Sequence, residues 1–468
     1  MKDLKKDLLR KLPSVSALLE TDTARQWLTE HPRGLVTDCL RDAADELRRQ
    51  VLQDTAGRCG PAHVTADFVL LQAGGLLARR TSPHIRGAIN ATGIILHTGL
   101  GRAVWPACVV DSMIDELKGC VTLATDRDTG QRIERDELVE YILTELTGSE
   151  AATVVNNNAA ATMIALAALG AGREVIVSRG QLIEIGGSFR LPDVMAQSGC
   201  RMVEVGTTNR THLRDYERAI TDATAIIFRA HPSNFRVVGF TKSVELEELV
   251  KLGHDHSLTV VDDLGAGALI GLERFGLPHE PTMRESIAAG ADVVLASGDK
   301  LMGASQAGII VGRRQFIERI RKHPLARALR VDKTCLLALE RTLHLFRDPE
   351  LLVRENPTYR MLATTPEALR QRAEALAAAI DSAANASANV MPGVGYLGSG
   401  SLPMEQLPTF LVAVSAPGVK AQDLARLLRM DDACIFARIE DDKVMLDVRT
   451  MTDEQIAPVA AAIARAAS

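Results

Sequence analysis

Lys300 follows Asp299 just beyond an apolar run, DVVLAS at 292–297, and a glycine-containing stretch then leads into AGIIVG at 307–312. A lysine presented by a strand-end turn is placed for covalent work, because imine formation needs a neutral amine beside an electrophile. An isolated Asp-Lys would read as a solvated turn; the glycines around this one let backbone approach a bound group closely. A second run, LTVV at 258–261, ends in Asp262 and Asp263 ahead of Gly265 and Gly267. A buried carboxylate needs a cation or hydrogen-bond donors, and the protonated pyridine nitrogen of pyridoxal 5'-phosphate is such a partner. Asp262 is expected in that role, with Asp263 supporting it or meeting substrate. A metal pair is the alternative, but no histidine or third carboxylate is adjacent, so no metal is expected. The third signal is ATVVNNNAAATMIAL at 152–166, where a strand ends in three asparagines and a helix begins. Unpaired N–H groups and the helix dipole make such a start an anion site. Asn157, Asn158 and Ala159 are expected to hold the cofactor phosphate with Ser297 as a fourth donor, although asparagines also serve as plain caps and turn formers.

Other polar clusters fit a substrate pocket. Arg102 lies in INATGIILHTGLGRAVWP, Arg179 and Arg190 in SRGQLIEIGGSFRLPD, and Arg229, His231 and Arg236 in RAHPSNFRVVGF. Grouped arginines imply anionic substrates with carboxylate-like or phosphate-like oxygens, and each could equally be a structural ion-pair partner. His231 is placed with the cofactor-binding set. His97 reads as readily structural as catalytic.

The elements that must position these groups follow from periodicity. From 86 to about 330, β-branched runs at 151–156, 174–178, 201–206, 225–230, 258–263, 292–297 and 307–312 alternate with helical stretches. Near-continuous apolar strands between helices indicate a mostly parallel sheet covered on both faces, with chemistry at the C-terminal strand ends. With the lysine and carboxylate at strand ends, these elements predict an α/β protein of the aminotransferase-like pyridoxal-phosphate fold. Residues 1–60 read as amphipathic helices, 61–85 as a linker, 86–335 as the catalytic domain, and 336–468 as a long helix plus a small C-terminal α/β domain. In that last part, CIFARIEDDKVMLDVR suits a hairpin.

Composition excludes some classes. A net charge of -5 over 468 residues gives no global pull towards DNA or membrane. Residues 1–60 hold 11 Lys or Arg against 10 Asp or Glu, too even to define a nucleic-acid surface. The longest apolar stretch, 159–171, is 13 residues, whereas a membrane span needs about 20. Seven cysteines without CxxC spacing indicate reduced thiols in a cytoplasm, with Cys108 and Cys434 expected in the core.

Several long segments resemble the bacterial L-seryl-tRNA(Sec) selenium transferase (selenocysteine synthase) family. They include LRKLPSVSALL, NATGIILHTGLGRA, LTGSEAATVVNNNAAA, GGSFR followed by VEVGTTNRTHL, VVDDLGAGALI, SGDKLMGASQAGIIVGR, HPLARALRVDK and GSGSLPMEQLP. The resemblance implies fold-type-I pyridoxal-phosphate architecture, Lys300 as the cofactor lysine, Asp299 as its essential neighbour, and Arg102 in the group meeting an anionic selenium donor. It implies conversion of seryl-tRNA(Sec) to selenocysteinyl-tRNA(Sec) with selenophosphate, through a dehydrated aminoacrylyl-tRNA. The N-terminal helices would bind the tRNA, and the chain would form a homo-oligomer built from dimers, up to a decamer. Gly99 stands where the family pattern has asparagine, and QRIERDELVE departs from RGSRYSHVE at Ile133, Glu134 and Asp136. Glu134 would place a like charge near an anion. The alternatives are a pyridoxal-phosphate lyase for a small anionic amino acid or amino sugar acid, and a non-catalytic tRNA-binding protein.

Overall fold

The computed structural model describes residues 2–54, 59–186, 189–383, 385–402 and 404–468. Gly187 and Ser188 of GGSFR and Pro403 of GSGSLPMEQLP lie outside them. The chain divides into two compact units, 1–87 and 88–468.

The first unit is helical: α1 (Lys2–Lys11), α2 (Val15–Leu19), α3 (Asp22–Glu30), α4 (Arg33–Gln53) and α5 (Ala66–Thr81). Ser14, Thr21 and Thr65 cap α2, α3 and α5 by accepting from backbone N–H groups, which satisfies donors that have no partner inside the helix. The segment 61–85 is therefore not a linker. Val69, Leu70 and Ala73 of α5 share one core with Leu18 and with Val36, Leu40, Ala43, Ala44 and Leu47 of α4. The two glycines at 74 and 75 suggest a break, but an apolar stripe at three- and four-residue spacing overrides them.

The second unit contains two sheets and a short hairpin. Its strands are β1 (Ile89–Ala91), β2 (Ala151–Val155), β3 (Glu174–Ser178), β4 (Glu184–Ile185), β5 (Phe189–Arg190), β6 (Arg201–Val205), β7 (Thr224–Ala230), β8 (Thr259–Gly265), β9 (Val293–Ser297), β10 (Gly308–Gly312), β11 (Ser387–Tyr396), β12 (Gln406–Ser415), β13 (Ile435–Glu440) and β14 (Lys443–Asp447). The large sheet has the order β2-β10-β9-β8-β7-β3-β6. β10 runs antiparallel to β2 and β9, and every other neighbouring pair is parallel. β2 and β9 are buried throughout, as near-continuous apolar runs require. Helices α6 (Ala107–Leu117) and α7 (Glu137–Thr147) cover one face, and α8 (Asn158–Gly170) the other.

The small sheet has the order β1-β13-β14-β12-β11. Thus β1, expected in the catalytic domain, is a strand of the C-terminal sheet, paired parallel with β13. The helix Lys333–Leu345 falls on the other side of the expected 335/336 boundary, because Leu336, Leu339 and Leu343 belong to the large-sheet core. The β13–β14 hairpin forms as expected, with Asp441 and Asp442 both at positive φ (48° and 55°), the combination a two-residue type I′ turn demands. Cys108 is exposed, on the side of α6 away from buried Val109 and Met113, and Cys434 is half-buried; neither is a core residue. No described helix is long and apolar enough to cross a membrane.

Candidate active site

Every parallel strand that carries an expected site residue delivers it at its C-terminal end. β2 leads to Asn156–Asn158, β3 to Arg179, β7 to His231, β8 to the Asp262–Gly267 segment, and β9 to Asp299 and Lys300. The lysine lies in the hairpin connecting β9 to the antiparallel β10. That hairpin is tied down along its length: Gly298 N–H donates to Ala307 O (2.9 Å), Leu301 N–H to Ala266 O (3.1 Å) and Tyr359 Oη to Leu301 O (2.7 Å). Gly267, at φ 75°, passes so close that a Cβ there would sit 2.4 Å from Ser297 O. Only glycine fits this approach.

Lys300 is 8% exposed. Burial, helped by the charge of Arg102, lowers its pKa, and Asp263, Asp299 and Glu280 oppose that shift. The balance favours a neutral amine, the reactive form. Asp299 accepts from Arg102 Nη1 (2.7 Å) on one oxygen and from Ser297 Oγ (2.8 Å) on the other. Arg102 is itself at φ 62°, an uncommon region for a side-chain-bearing residue. Its N–H donates to His97 O (3.0 Å), so the loop is locked in place beside Asp299.

Strand alternation sends the two aspartates to opposite faces. Asp262, fully buried, accepts from Arg229 Nη1 (2.8 Å) and from Ser286 Oγ (2.7 Å). Asp263 accepts from Asn158 Nδ2 and Thr162 Oγ1, both at 2.8 Å. Burial raises the Asp263 pKa, with Asn158, Thr162 and Lys300 pulling it back. Asp262 thus carries a charge-assisted contact of the kind an anion makes, while Asp263 braces the start of α8. At that start, Asn157 caps the helix by accepting from Ala160 N–H (2.9 Å), leaving the Asn158 and Ala159 N–H groups without helical partners.

His231 N–H donates to Asp263 O (2.8 Å), which fixes it at the end of β7. A cavity of about 390 Å³ opens there, lined among others by Gln181, Arg229, His231, Ser233 and Glu280. Of the five arginines expected to bind substrate, Arg102 and Arg229 pair with the site aspartates. Arg236 reaches the cavity wall, bonded to Glu405 (3.4 Å). Arg179 and Arg190 are taken up by Glu204 (3.0 Å) and Glu184 (3.3 Å) and are not brought to Lys300.

Two features escaped the sequence reading. Glu280 is buried in the cavity wall although it comes from the loop GLPHEPT. A second cavity, of about 560 Å³, gathers Arg132, Arg135, Arg327 and Arg330 with Glu134. Loss of solvent and the guanidiniums of Arg135, Arg327 and Arg132 lower the Arg330 pKa, and Glu134 opposes them. With Asp136 and Glu318 also lining the cavity, Glu134 offsets the repulsion among its arginines and Lys322 but leaves cations in excess. The signal was the paired arginines of HPLARALR. Two other departures, Asp136 and Gly99, have local explanations, and nothing in the structure explains Ile133. Asp136 pairs with Arg321 (2.8 Å), and Gly99 leaves room for His97, whose ring would lie 3.3 Å from a Cβ at 99.

Asn156 Oδ1, Asn158 Oδ1, His231 Nδ1 and Asn234 Oδ1 are buried polar atoms without hydrogen-bond partners. Such atoms call for a polar guest, and together with the free α8 N–H groups they fit pyridoxal 5'-phosphate. This fold and this lysine define a fold-type-I pyridoxal-phosphate enzyme. The solved structure of D-glucosaminate-6-phosphate ammonia-lyase shares the fold, with a TM-score of 0.57 at 22% identity over 84% of this chain and 98% of that one. The chain belongs to the L-seryl-tRNA selenium transferase family, whose model matches residues 88–452, while a selenocysteine synthase N-terminal model matches 9–48. L-seryl-tRNA(Sec) selenium transferase of Nitratidesulfovibrio vulgaris is 45% identical, covering 98% of this chain and 99% of its own. The same enzyme of Geobacter sulfurreducens is 44% identical, covering 98% and 100%.

Proposed function

We propose that this protein converts L-seryl-tRNA(Sec) to L-selenocysteinyl-tRNA(Sec), with selenophosphate as the selenium donor. The observation that carries this reading is a buried Lys300 that follows Asp299, itself paired with Arg102, in a chain of this family. Bound pyridoxal phosphate supplies an electron sink that acidifies the seryl Cα–H and lets the β-hydroxyl depart. Lys300 Nζ would hold the cofactor covalently and, when free, would be the base for the Cα proton. Asp262, anchored by Arg229 and Ser286, would sit against the pyridine nitrogen. The N–H groups of Asn158 and Ala159, with Asn157 and Ser297, would receive the phosphate, and His231 would wall the ring.

Asp299 holds the Arg102 guanidinium beside Lys300, where it can meet the dianionic donor. The helices before residue 88 would engage the tRNA, and a dimer-based homo-oligomer would be the working form.

The test is an absorption-monitored titration of the cofactor-loaded protein with seryl-tRNA(Sec), with free serine and seryl-tRNA(Ser) as controls. A spectral change with the first alone, abolished by Lys300→Ala, supports the reading. A clear cofactor band that no seryl-tRNA perturbs would sink it.

A further inference from the structure

Glu280 has no role in the chemistry above, yet its position is unusual for a carboxylate. It is 3% exposed, lines the cavity at the strand ends, and its nearest ionisable partner is His231, with Nδ1 3.8 Å from Oε1. That Nδ1 has no hydrogen-bond partner of its own. The loop bearing Glu280 is held rigidly. Thr282 bridges to Ala268, Met283 N–H donates to Ala268 O (3.0 Å), and Thr282 and Glu285 close a capping box on the next helix.

The charged groups reaching the pair are His279 on the same loop, Lys300 after β9, and Arg229 and Asp262 on β7 and β8. Burial pushes Glu280 up to about 7, against the pull of His279 and Lys300. Burial and Arg229 push His231 down to about 4. At pH 7 the carboxyl is then still partly protonated while the imidazole is neutral.

We propose that Glu280, braced by His231, is the acid that protonates the departing β-hydroxyl of the seryl group, an inference that rests on the seryl-tRNA reading. Lys300 Nζ removes the Cα proton, and the Cα–H electrons go to form the Cα–Cβ double bond. The Cβ–O bond breaks with its electron pair on oxygen, and the Glu280 proton completes a water molecule. The carboxylate is reprotonated from solvent before the next turnover. Lys300 and Glu280 thereby divide the two proton transfers between separate residues.

The experiment separates those transfers on cofactor-loaded protein given seryl-tRNA(Sec) without donor. Cα–H exchange into D2O reports Lys300, and loss of 18O from a labelled seryl hydroxyl reports Glu280. Glu280→Gln should keep the exchange while hydroxyl loss falls by about 10²–10⁴-fold, and Glu280→Asp should recover part of it. In the wild type hydroxyl loss should decline as pH rises through about 7. Infrared difference spectra without substrate should show a protonated-carboxyl C=O band that disappears between pH 6 and 8 and is missing in Glu280→Gln. Hydroxyl loss in Glu280→Gln within threefold of wild type, or no such band, overturns the proposal while leaving the seryl-tRNA reading intact. Wild-type protein that neither exchanges Cα–H nor loses 18O overturns both.

Discussion

Arg102, Asp299 and Glu280 all act on the Lys300 amine, and the Asp299 and Glu280 carboxylates each give a measurable pH signature. Asp299 favours the ammonium form of Lys300, and Arg102 disfavours it. Asp299→Asn removes the first influence and frees the second, so the Lys300 pKa falls further. The pH at which apo-protein loading with pyridoxal phosphate accelerates should then shift downwards, as followed by stopped-flow absorbance. For Glu280 the sign follows from linkage. Its native pKa, about 7, lies above the reference 4.5, so the native state binds the proton more tightly than the unfolded chain. Stability is therefore lost as pH rises from about 4.5 through 7. Glu280→Gln should remove that loss and melt higher than wild type at pH 8, but not at pH 4.5. His231 works oppositely: unfolded chains protonate first, so its penalty is relieved as pH rises from about 4 to 6.5. Lys300, Asp299 and Asp262 were legible in the sequence because each stands within three residues of the end of an apolar run. Glu280 was not, since a loop such as GLPHEPT has no period, and only tertiary packing brings it beside His231. The opposite facing of Asp262 and Asp263 follows from strand alternation. What each would meet on its face depends on residues more than twenty positions away.

The strand–helix junctions do the positioning. At β2–α8 a single side chain, Asn157, closes the first turn, and its loss should cost about 0.5–2 kcal/mol. Asn157→Ala should lower the melting temperature modestly and weaken cofactor affinity more than stability, as equilibrium dialysis would show. At β8 the ladder with β9 skips a residue between Asp263 and Gly265, a bulge that turns the chain towards Gly267. Gly267→Ala would force the Ser297 carbonyl to move and strain a left-handed residue, costing on the order of 1–3 kcal/mol. Its denaturation midpoint should fall and the cofactor absorbance band should weaken with it. The large-sheet strands were readable because their apolar runs are continuous. Helix α5 and strand β1 were not: paired glycines disguised one, and the other takes its partner from a strand more than 340 residues later.

At the scale of the molecule, the N-terminal helices and the two-sheet body each possess their own hydrophobic core. Residues 88–468 produced alone should melt cooperatively and bind pyridoxal phosphate with an unchanged band. They should lose the preference for tRNA(Sec) over tRNA(Ser) in a filter-binding assay. The lysine hairpin carries a further consequence. Its two strands are interior members of the sheet, flanked by β2 and β8, so it can open only if the ladder on both sides opens too. Amide protons at 293–297 and 308–312 should therefore exchange with deuterium only through global unfolding, among the slowest in the chain. The backbone that carries the reactive amine is then a fixed point of the catalytic cycle, and only the lysine side chain need swing. Backbone motion on the microsecond-to-millisecond timescale of turnover is then expected in the loops around the site and not in this hairpin.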